Sequence, residues 1–341
     1  MLEPSTAVAA LRWRDGLELL DQRLLPGRER WVPVPGAAFA ARAIRNLTVR
    51  GAPAIGLAAA YALAAEARIN AETSHLRRSA RRLASARPTA ANLQRAVQQV
   101  LGAIERVAPG ERFERALTAA RELHAADAAA CLAIAVHGAT LFSSEKVALL
   151  THCNTGALAT GGIGTALGIV RALQAQGRLA HIYACEARPV LQGARLTAWE
   201  ALQDGLPCTL LADAAAASLI ARGCVQGVVV GADRIAADGS VANKVGTYAL
   251  ALAAARHGVS FVVAAPTTTF DLGCPDGGAI PIEQRGEDEV RRFGRAKVAP
   301  EQVAAYNPAF DVTPAELVTA IVSERGVARP VNPETVRGIA E

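Results

Sequence analysis

The chain has 341 residues, of which 51% are hydrophobic, and a formal net charge of +5 at pH 7. This length exceeds the usual span of a single core, and the apolar fraction excludes a disordered or fibrous chain, so two globular domains are expected. The basic excess is small for the length and is not gathered in one tract, and the longest uncharged segment, Ala128 to Ser144, holds a histidine and several polar residues, so neither nucleic acid nor a membrane is an expected partner.

In chain order, residues 8 to 35 alternate apolar and polar around turns at Asp15-Gly16 and Pro26-Gly27, which predicts a small antiparallel sheet. From Ala37 the period becomes helical, with Pro53 of RGAPAIG at a break between helices. Helical patterns continue over Asn70 to Ala86, Ala90 to Arg106 and Phe113 to Phe142. Residues 1–142 are therefore read as an N-terminal β-hairpin and helical domain, and 143–341 as a Rossmann-like catalytic domain. In the second domain, short apolar runs at Val147 to Leu150, His181 to Ala184, Cys208 to Leu211, Gly227 to Val230 and Phe261 to Ala264 alternate with helical connections. That is the pattern of a doubly wound parallel sheet, and the fold class is α/β. Near the end, Thr313, Pro314 and Glu316 read as a capping box that starts a helix over Leu317 to Glu324, ended by Gly326. Arg77, Arg78, Arg81 and Arg82 fall at helical spacing without interleaved aromatics and read as a solvated face.

The stretch from 147 to 171, VALLTHCNTGALATGGIGTALGIVR, organises the rest. A buried strand stops, a polar loop holds Cys153, and recurring small residues let a backbone come close to an anion. Ligands of open α/β sheets bind at this end of the strands. Cys153 beside His152 reads either as a small buried residue or as a thiol activated by a helix N-terminus. After Val228, Val229 and Val230, Asp233 reads either as a turn cap or as a carboxyl whose pKa is raised by apolar surroundings into a proton donor. Asn243 and Lys244 follow, suited to a hydroxyl and a phosphate, although a lone lysine is as readily a surface charge. Glu186, about twenty positions after the glycines, suggests a dinucleotide site, but the fingerprint fails because Leu167 stands where its third glycine belongs.

Six cysteines form no C-x-x-C pair and six histidines no metal-binding pair, so no disulfide framework and no metal is expected, and a reducing cytoplasm fits best. The first residues, with Glu3, hold too short an apolar stretch for a signal peptide.

Taken together, IRNLTVRGAPAIG at 44–56, RPTAANL at 87–93, THCNTGALAT at 151–160, RPVLQGARLTAWE at 188–200, GADRIAADGSVANKVGT at 231–247, AAPTTTFD at 264–271, IPIEQR at 280–285 and NPAFDVTP at 307–314 resemble the methylthioribose-1-phosphate isomerase family of methionine salvage. The resemblance implies a cofactor-free aldose-ketose isomerase acting on a sugar phosphate, as a homodimer. By motif it implies catalytic roles for Cys153 and Asp233. It also implies substrate contacts from Arg50, Gly51, Ala52, Arg87, Gln192, Asn243 and Lys244. The chain departs from the family pattern at Ala187 and Ala126. Two related classes stay open beside it: ribose-1,5-bisphosphate isomerase, and the non-catalytic regulatory subunits of translation initiation factor 2B.

Overall fold

The computed structural model describes residues 3–87 and 90–341; Met1, Leu2, and Pro88 and Thr89 of the RPTAANL motif lie outside the described residues. Three antiparallel strands open the chain, β1 (Leu11–Trp13), β2 (Leu17–Leu20) and β3 (Trp31–Val34), in the order β1-β2-β3. Their alternation turns Leu11, Leu17, Leu19 and Val34 inward. Five helices follow: α1 (Ala37–Arg45), α2 (Ala52–Ile69), α3 (Thr73–Ala84), α4 (Ala91–Ile104) and α5 (Arg112–Ala139). The four arginines of α3 are exposed, as expected of a solvated face. Pro53 lies in the first turn of α2, where its missing N–H breaks no helical bond. Alanine dominates α2, which is buried nearly all round, so α4 and α5 pack closely on it. One apolar cluster runs from Ala10 to Ala120, whereas the second half of α5 contributes Cys131, Ile134, Ala135 and Ala139 to the next core.

Strand and helix then alternate: β4 (Val147–Thr151), α6 (Ala166–Ala175), β5 (Leu179–Cys185), α7 (Ala198–Gln203), β6 (Cys208–Leu211), α8 (Ala216–Ala221) and β7 (Gly227–Val230). After β7 come β8 (Arg234–Ala236), β9 (Val241–Lys244), α9 (Thr247–Arg256), β10 (Ser260–Ala264) and β11 (Phe270–Asp271). The chain ends with α10 (Asp288–Arg291), the hairpin β12 (Arg292–Phe293) and β13 (Ala296–Lys297), β14 (Phe310–Thr313), β15 (Ala320–Ser323), β16 (Gly326–Ala328) and α11 (Pro333–Ala340). The main sheet has the order β16-β15-β10-β7-β4-β5-β6 and is parallel from β15 to β6, with β16 an antiparallel edge. Leu149, Val229 and Val262 face one core, while Leu150, Val228, Val230 and Val263 face the other, so both faces are covered.

From β4 the chain winds outward to β5 and β6, then returns to β7, β10 and β15 on the other side. The order therefore switches between β4 and β7, where such sheets take their ligands. A second sheet, β11-β8-β9-β14, stands beside this mouth and was not expected from the sequence. Its strands are two to four residues long and too short to show a period.

The helix expected over Leu317 to Glu324 does not form. Thr313 ends β14, a single 3-10 turn spans Ala315–Leu317, and Ala320–Ser323 pairs in parallel with β10. Ile321 and Val322 are β-branched and fully buried in the sheet, so tertiary pairing overrides the local start signal. The helix at this end is α11, where the Asn332 side chain accepts the Thr335 N–H at 2.9 Å and Pro333 follows the cap. Thr313 is fully buried and its Oγ1 has no partner. Thr313→Val should therefore leave the unfolding free energy unchanged or raise it by up to about 1 kcal/mol. Asn332→Ala should lower it by about 1 kcal/mol. Urea denaturation of the two variants checks the assignment, since a helix cap at Thr313 would reverse the sign of the first.

Candidate active site

β4 ends at Thr151 and the chain turns at Cys153, which is buried and holds φ of 62°. Thr197 Oγ1 donates to the Cys153 carbonyl at 2.6 Å and helps keep that turn. Non-glycine residues at positive φ among the described residues are Leu47, Cys153, Ala187 and Leu191. Leu47 and Cys153 line one cavity, and Ala187 and Leu191 frame the loop that brings Gln192 to it. Such conformations cost on the order of 1 kcal/mol or more each and persist where surrounding contacts enforce them.

Next to Cys153, Asn154 fastens the N-terminal domain to the sheet. Its Oδ1 accepts from Arg50 Nη1 at 2.6 Å and its carbonyl from Arg50 Nη2 at 2.9 Å. Its Nδ2 donates to Glu200 Oε1 at 2.8 Å. Glu200, fully buried on α7, also accepts the N–H groups of Ala157 and Leu158 at 2.9 and 3.1 Å and pairs with Arg171 Nη2 at 2.9 Å. Arg171 in turn bonds Asp204 and the Ile163 carbonyl. One buried ion pair thus fixes the small-residue loop between β4 and α6. Gly51, at φ of 94°, lets α2 begin against this loop: a Cβ there would lie 2.5 Å from Ala159 Cα.

Arg50, Gly51, Ala52 and Pro53 at the start of α2, together with Thr165 at the N-cap of α6, line one side of the site with Cys153, Asn154, Asp233 and Asn243. Arg50, Gly51, Cys153 and Asp233 also line the adjoining cavity, with Arg87, Gln192, Lys244, Arg195 and Arg285. All nine residues named from the sequence therefore stand around one place. Two helix N-termini and several cations converge there, an arrangement that binds an anion.

Asp233 follows β7, and its N–H donates to the Ala242 carbonyl at 2.9 Å. Burial raises its pKa, against the lowering effect of Arg87, Lys244 and Arg50. Lys244 Nζ donates to the Ala309 carbonyl at 2.9 Å, and burial lowers its pKa while Cys153 and Asp233 act the other way. Asn243 Nδ2 donates to Thr247 Oγ1 at 3.0 Å, and that hydroxyl donates to the Lys244 carbonyl at 2.6 Å, closing the turn into α9. Arg87 reaches Glu283 at 3.4 Å.

Sequence reasoning missed Arg195, Arg285, Gln22 and the Glu200–Arg171 pair. A glutamate and an arginine inside otherwise apolar helical runs were the available signal for the pair. Glu186 directly follows β5, and its N–H donates to the Leu211 carbonyl at 2.9 Å. His152, Cys185 and Asp213, far apart in sequence, place their ligand atoms within 4.8 Å of one another and could hold a cation. Asp213 already accepts the N–H groups of Ala187 and Arg188, each at 2.8 Å, and His152 Nε2 donates to the Val245 carbonyl at 2.8 Å, so these two fasten the loops around the site.

Fold and site define a Rossmann-like α/β protein that receives a small anionic ligand where its strand order switches. The chain belongs to the initiation factor 2 subunit family, whose model matches residues 48–330, and within it to the methylthioribose-1-phosphate isomerases. It is 55% identical over 316 residues to methylthioribose-1-phosphate isomerase of Anaeromyxobacter sp. (strain K), covering 93% of this chain and 91% of that one. The isomerase of Pseudomonas aeruginosa (strain UCBPP-PA14) is 48% identical over 342 residues, covering 97% and 95%. Among solved structures, 5-methylthioribose 1-phosphate isomerase of Pyrococcus horikoshii OT3 superposes with a TM-score of 0.92 at 37% identity, covering 98% of this chain and 96% of that one. A protein of A. fulgidus described as the delta subunit of translation initiation factor eIF-2B superposes with a TM-score of 0.88 at 40% identity, covering 97% and 100%.

Glu200→Gln keeps the shape but leaves Arg171 with Asp204 alone and weakens the anchor of Asn154. It is expected to lower stability by about 3 kcal/mol, the order found when one member of a buried pair is removed, and chemical denaturation measures it.

Proposed function

We propose that this chain converts 5-methylthio-α-D-ribose 1-phosphate to 5-methylthio-D-ribulose 1-phosphate. The observation that carries this reading is the placement of Cys153 and Asp233. They follow the two adjacent strands at the switch point and line one cavity ringed by Arg50, Arg87 and Lys244. The relatives named above support the same substrate.

The phosphate on the anomeric oxygen blocks ordinary ring opening, because that oxygen has no proton to lose. Asp233, kept protonated by its burial, donates to the ring oxygen and the bond from that oxygen to C1 breaks. The hydrogen on C2 then leaves as a proton to Cys153 acting as base while C1 takes up a proton, or it passes to C1 as a hydride; either way the C2 hydroxyl releases its proton, which balances the one Asp233 gave, and C2 becomes the ketone. Arg50, Arg87, Lys244 and the N-terminus of α2, with Gly51 and Ala52, hold the phosphate so that it is not expelled. Gln192 and Asn243 contact the sugar. The chemistry calls for no cofactor.

The initiation factor reading draws on the A. fulgidus protein's description. Against it stand a thiol and a proton-donating carboxyl on one cavity wall, which a purely regulatory subunit does not require. For the molecule as a whole we place the domain boundary after residue 142. The separate apolar clusters support it, with α5 serving both. We also propose a homodimer, for which Tyr248 and Leu252, exposed one turn apart on α9, offer apolar surface. Six free thiols suit a cytoplasmic location.

A proton NMR time course with the substrate in deuterated water tests the activity. Wild type is expected to form the ketose, and Cys153→Ala and Asp233→Asn to lose about 100-fold or more in rate. Deuterium at C1 would favour proton abstraction, and its absence would leave hydride transfer open. No ketose from the wild type would overturn the assignment, and the same assay with ribose 1,5-bisphosphate and a pull-down with initiation factors would then decide between the other classes.

The Asp233 carboxyl gives a second test. Its folded pKa is raised, so its stabilising contribution is complete below the ordinary carboxyl range and is lost as pH rises from there toward the folded pKa. Asp233→Asn, which does not ionise, should be more stable than wild type at neutral pH, with the difference vanishing below the ordinary carboxyl range. Thermal unfolding across pH measures it.

A further inference from the structure

Gln22, just after β2, is 1% exposed and lines the cavity that holds Cys153, Asp233 and Lys244. Its backbone N–H donates to the Thr48 carbonyl at 3.0 Å, and its carbonyl accepts from Arg195 Nη1 at 3.0 Å. Its Nε2 donates to the Leu158 carbonyl at 2.7 Å. This last bond fixes the amide, because a carbonyl accepts only from the nitrogen end. The oxygen end, Oε1, is buried and has no hydrogen-bond partner. Gln192, 7% exposed on the same cavity, likewise has a buried Oε1 without a partner.

Buried side-chain oxygens without a donor are rare, and two on one cavity point to donors arriving from elsewhere. The cations around the cavity match a phosphate but cannot satisfy a hydroxyl hydrogen. Carboxamide oxygens can. We infer that Gln22 is a substrate-binding residue whose Oε1 accepts a hydrogen bond from a ribose hydroxyl, with Gln192 Oε1 accepting from another. The hydrogen bonds to Thr48, Arg195 and Leu158 hold Gln22 in place before the sugar arrives, so little side-chain freedom is lost on binding. The inference takes its sugar phosphate from the isomerase reading and adds a residue from the N-terminal sheet that reads the sugar's hydroxyl groups.

Calorimetric titration of the full-length protein tests it with ribose 1-phosphate, its 2-deoxy and 3-deoxy analogues, and inorganic phosphate. Wild type is expected to bind at least one deoxy analogue about 10-fold more weakly than ribose 1-phosphate. In Gln22→Met that difference should fall below about twofold, while affinity for inorganic phosphate stays within about twofold of wild type. Gln22→Asn, which keeps the polarity but draws the amide back by one carbon, should lose the difference as well and serves if the methionine variant does not fold. Retention in a folded variant of every difference the wild type shows, rather than of the one read by Gln192 alone, or phosphate affinity falling in step with sugar phosphate affinity, would overturn the inference. Turnover of methylthioribose 1-phosphate is measured separately. A wild type that tells the hydroxyls apart but forms no ketose would overturn the isomerase reading and leave Gln22 in place, and one that forms ketose without telling them apart would do the reverse.

Discussion

The site hangs on a carboxylate that does not line its cavities. Glu200 is fully buried and bonds Asn154, Ala157, Leu158 and Arg171, and through Asn154 it reaches Arg50 in the other half of the chain. Charges taken out of water are tolerated only where every lone pair and proton finds a partner. That requirement admits few arrangements of the loop between β4 and α6, so one ion pair sets where Cys153 stands, where α2 begins and how closely the two halves meet. The small residues of the loop are the other side of the same constraint, since Gly51 and Ala159 approach to a distance at which a Cβ has no room.

A second constraint is topological. The sheet switches direction between β4 and β7, and loops leaving adjacent strands on opposite winds diverge, which opens a crevice without special side chains. Cys153 and Asp233 line it from the loops that follow Thr151 at the end of β4 and Val230 at the end of β7. The positive φ at Cys153 places it there, and those at Ala187 and Leu191 shape the loop that brings Gln192, each at some conformational cost. The π-turn at Gly193–Thr197 serves the same end, because any Cβ at Gly193 would lie 1.7 Å from the Cys185 carbonyl oxygen.

Much of this was legible in the sequence where one physical cause dominates. The apolar runs of β4, β7 and β10 mark buried parallel strands because both faces are covered, and alanine-rich helical patterns mark the N-terminal core. Strand order was not legible, so nothing local could show that Cys153 and Asp233 are neighbours. Ile321 and Val322 show the limit from the other side: a capping signal at Thr313 and Pro314 says helix, and only the partner strand β10, more than fifty residues earlier, decides for sheet. Short strands such as β8 and β11 carry too few residues for a period. Gln22 could not be singled out either, since an amide becomes informative only when its bonds to Leu158 and Thr48 show which atom is left over.

The charges around the cavity explain why such a site prefers its ligand to being empty. Burial lowers the pKa of Lys244 and of Arg195, and the nearby Arg50 adds to the effect at Arg195. Burial also holds Asp233 toward its neutral form, and Glu283 and Glu289 pair with Arg87 and Arg285, which leaves Lys244, Arg50 and Arg195 without an ion pair among the described residues. The empty site is thus short of negative charge and carries two unpartnered amide oxygens. A sugar phosphate supplies both, a dianion for the cations and hydroxyl donors for the amides, so binding relieves costs that folding leaves in place. The same reasoning shows why removing a charge here should not be judged by stability alone. A residue whose ionisation its surroundings oppose, as burial opposes that of Asp233, serves through its protonation state rather than through the stability it adds.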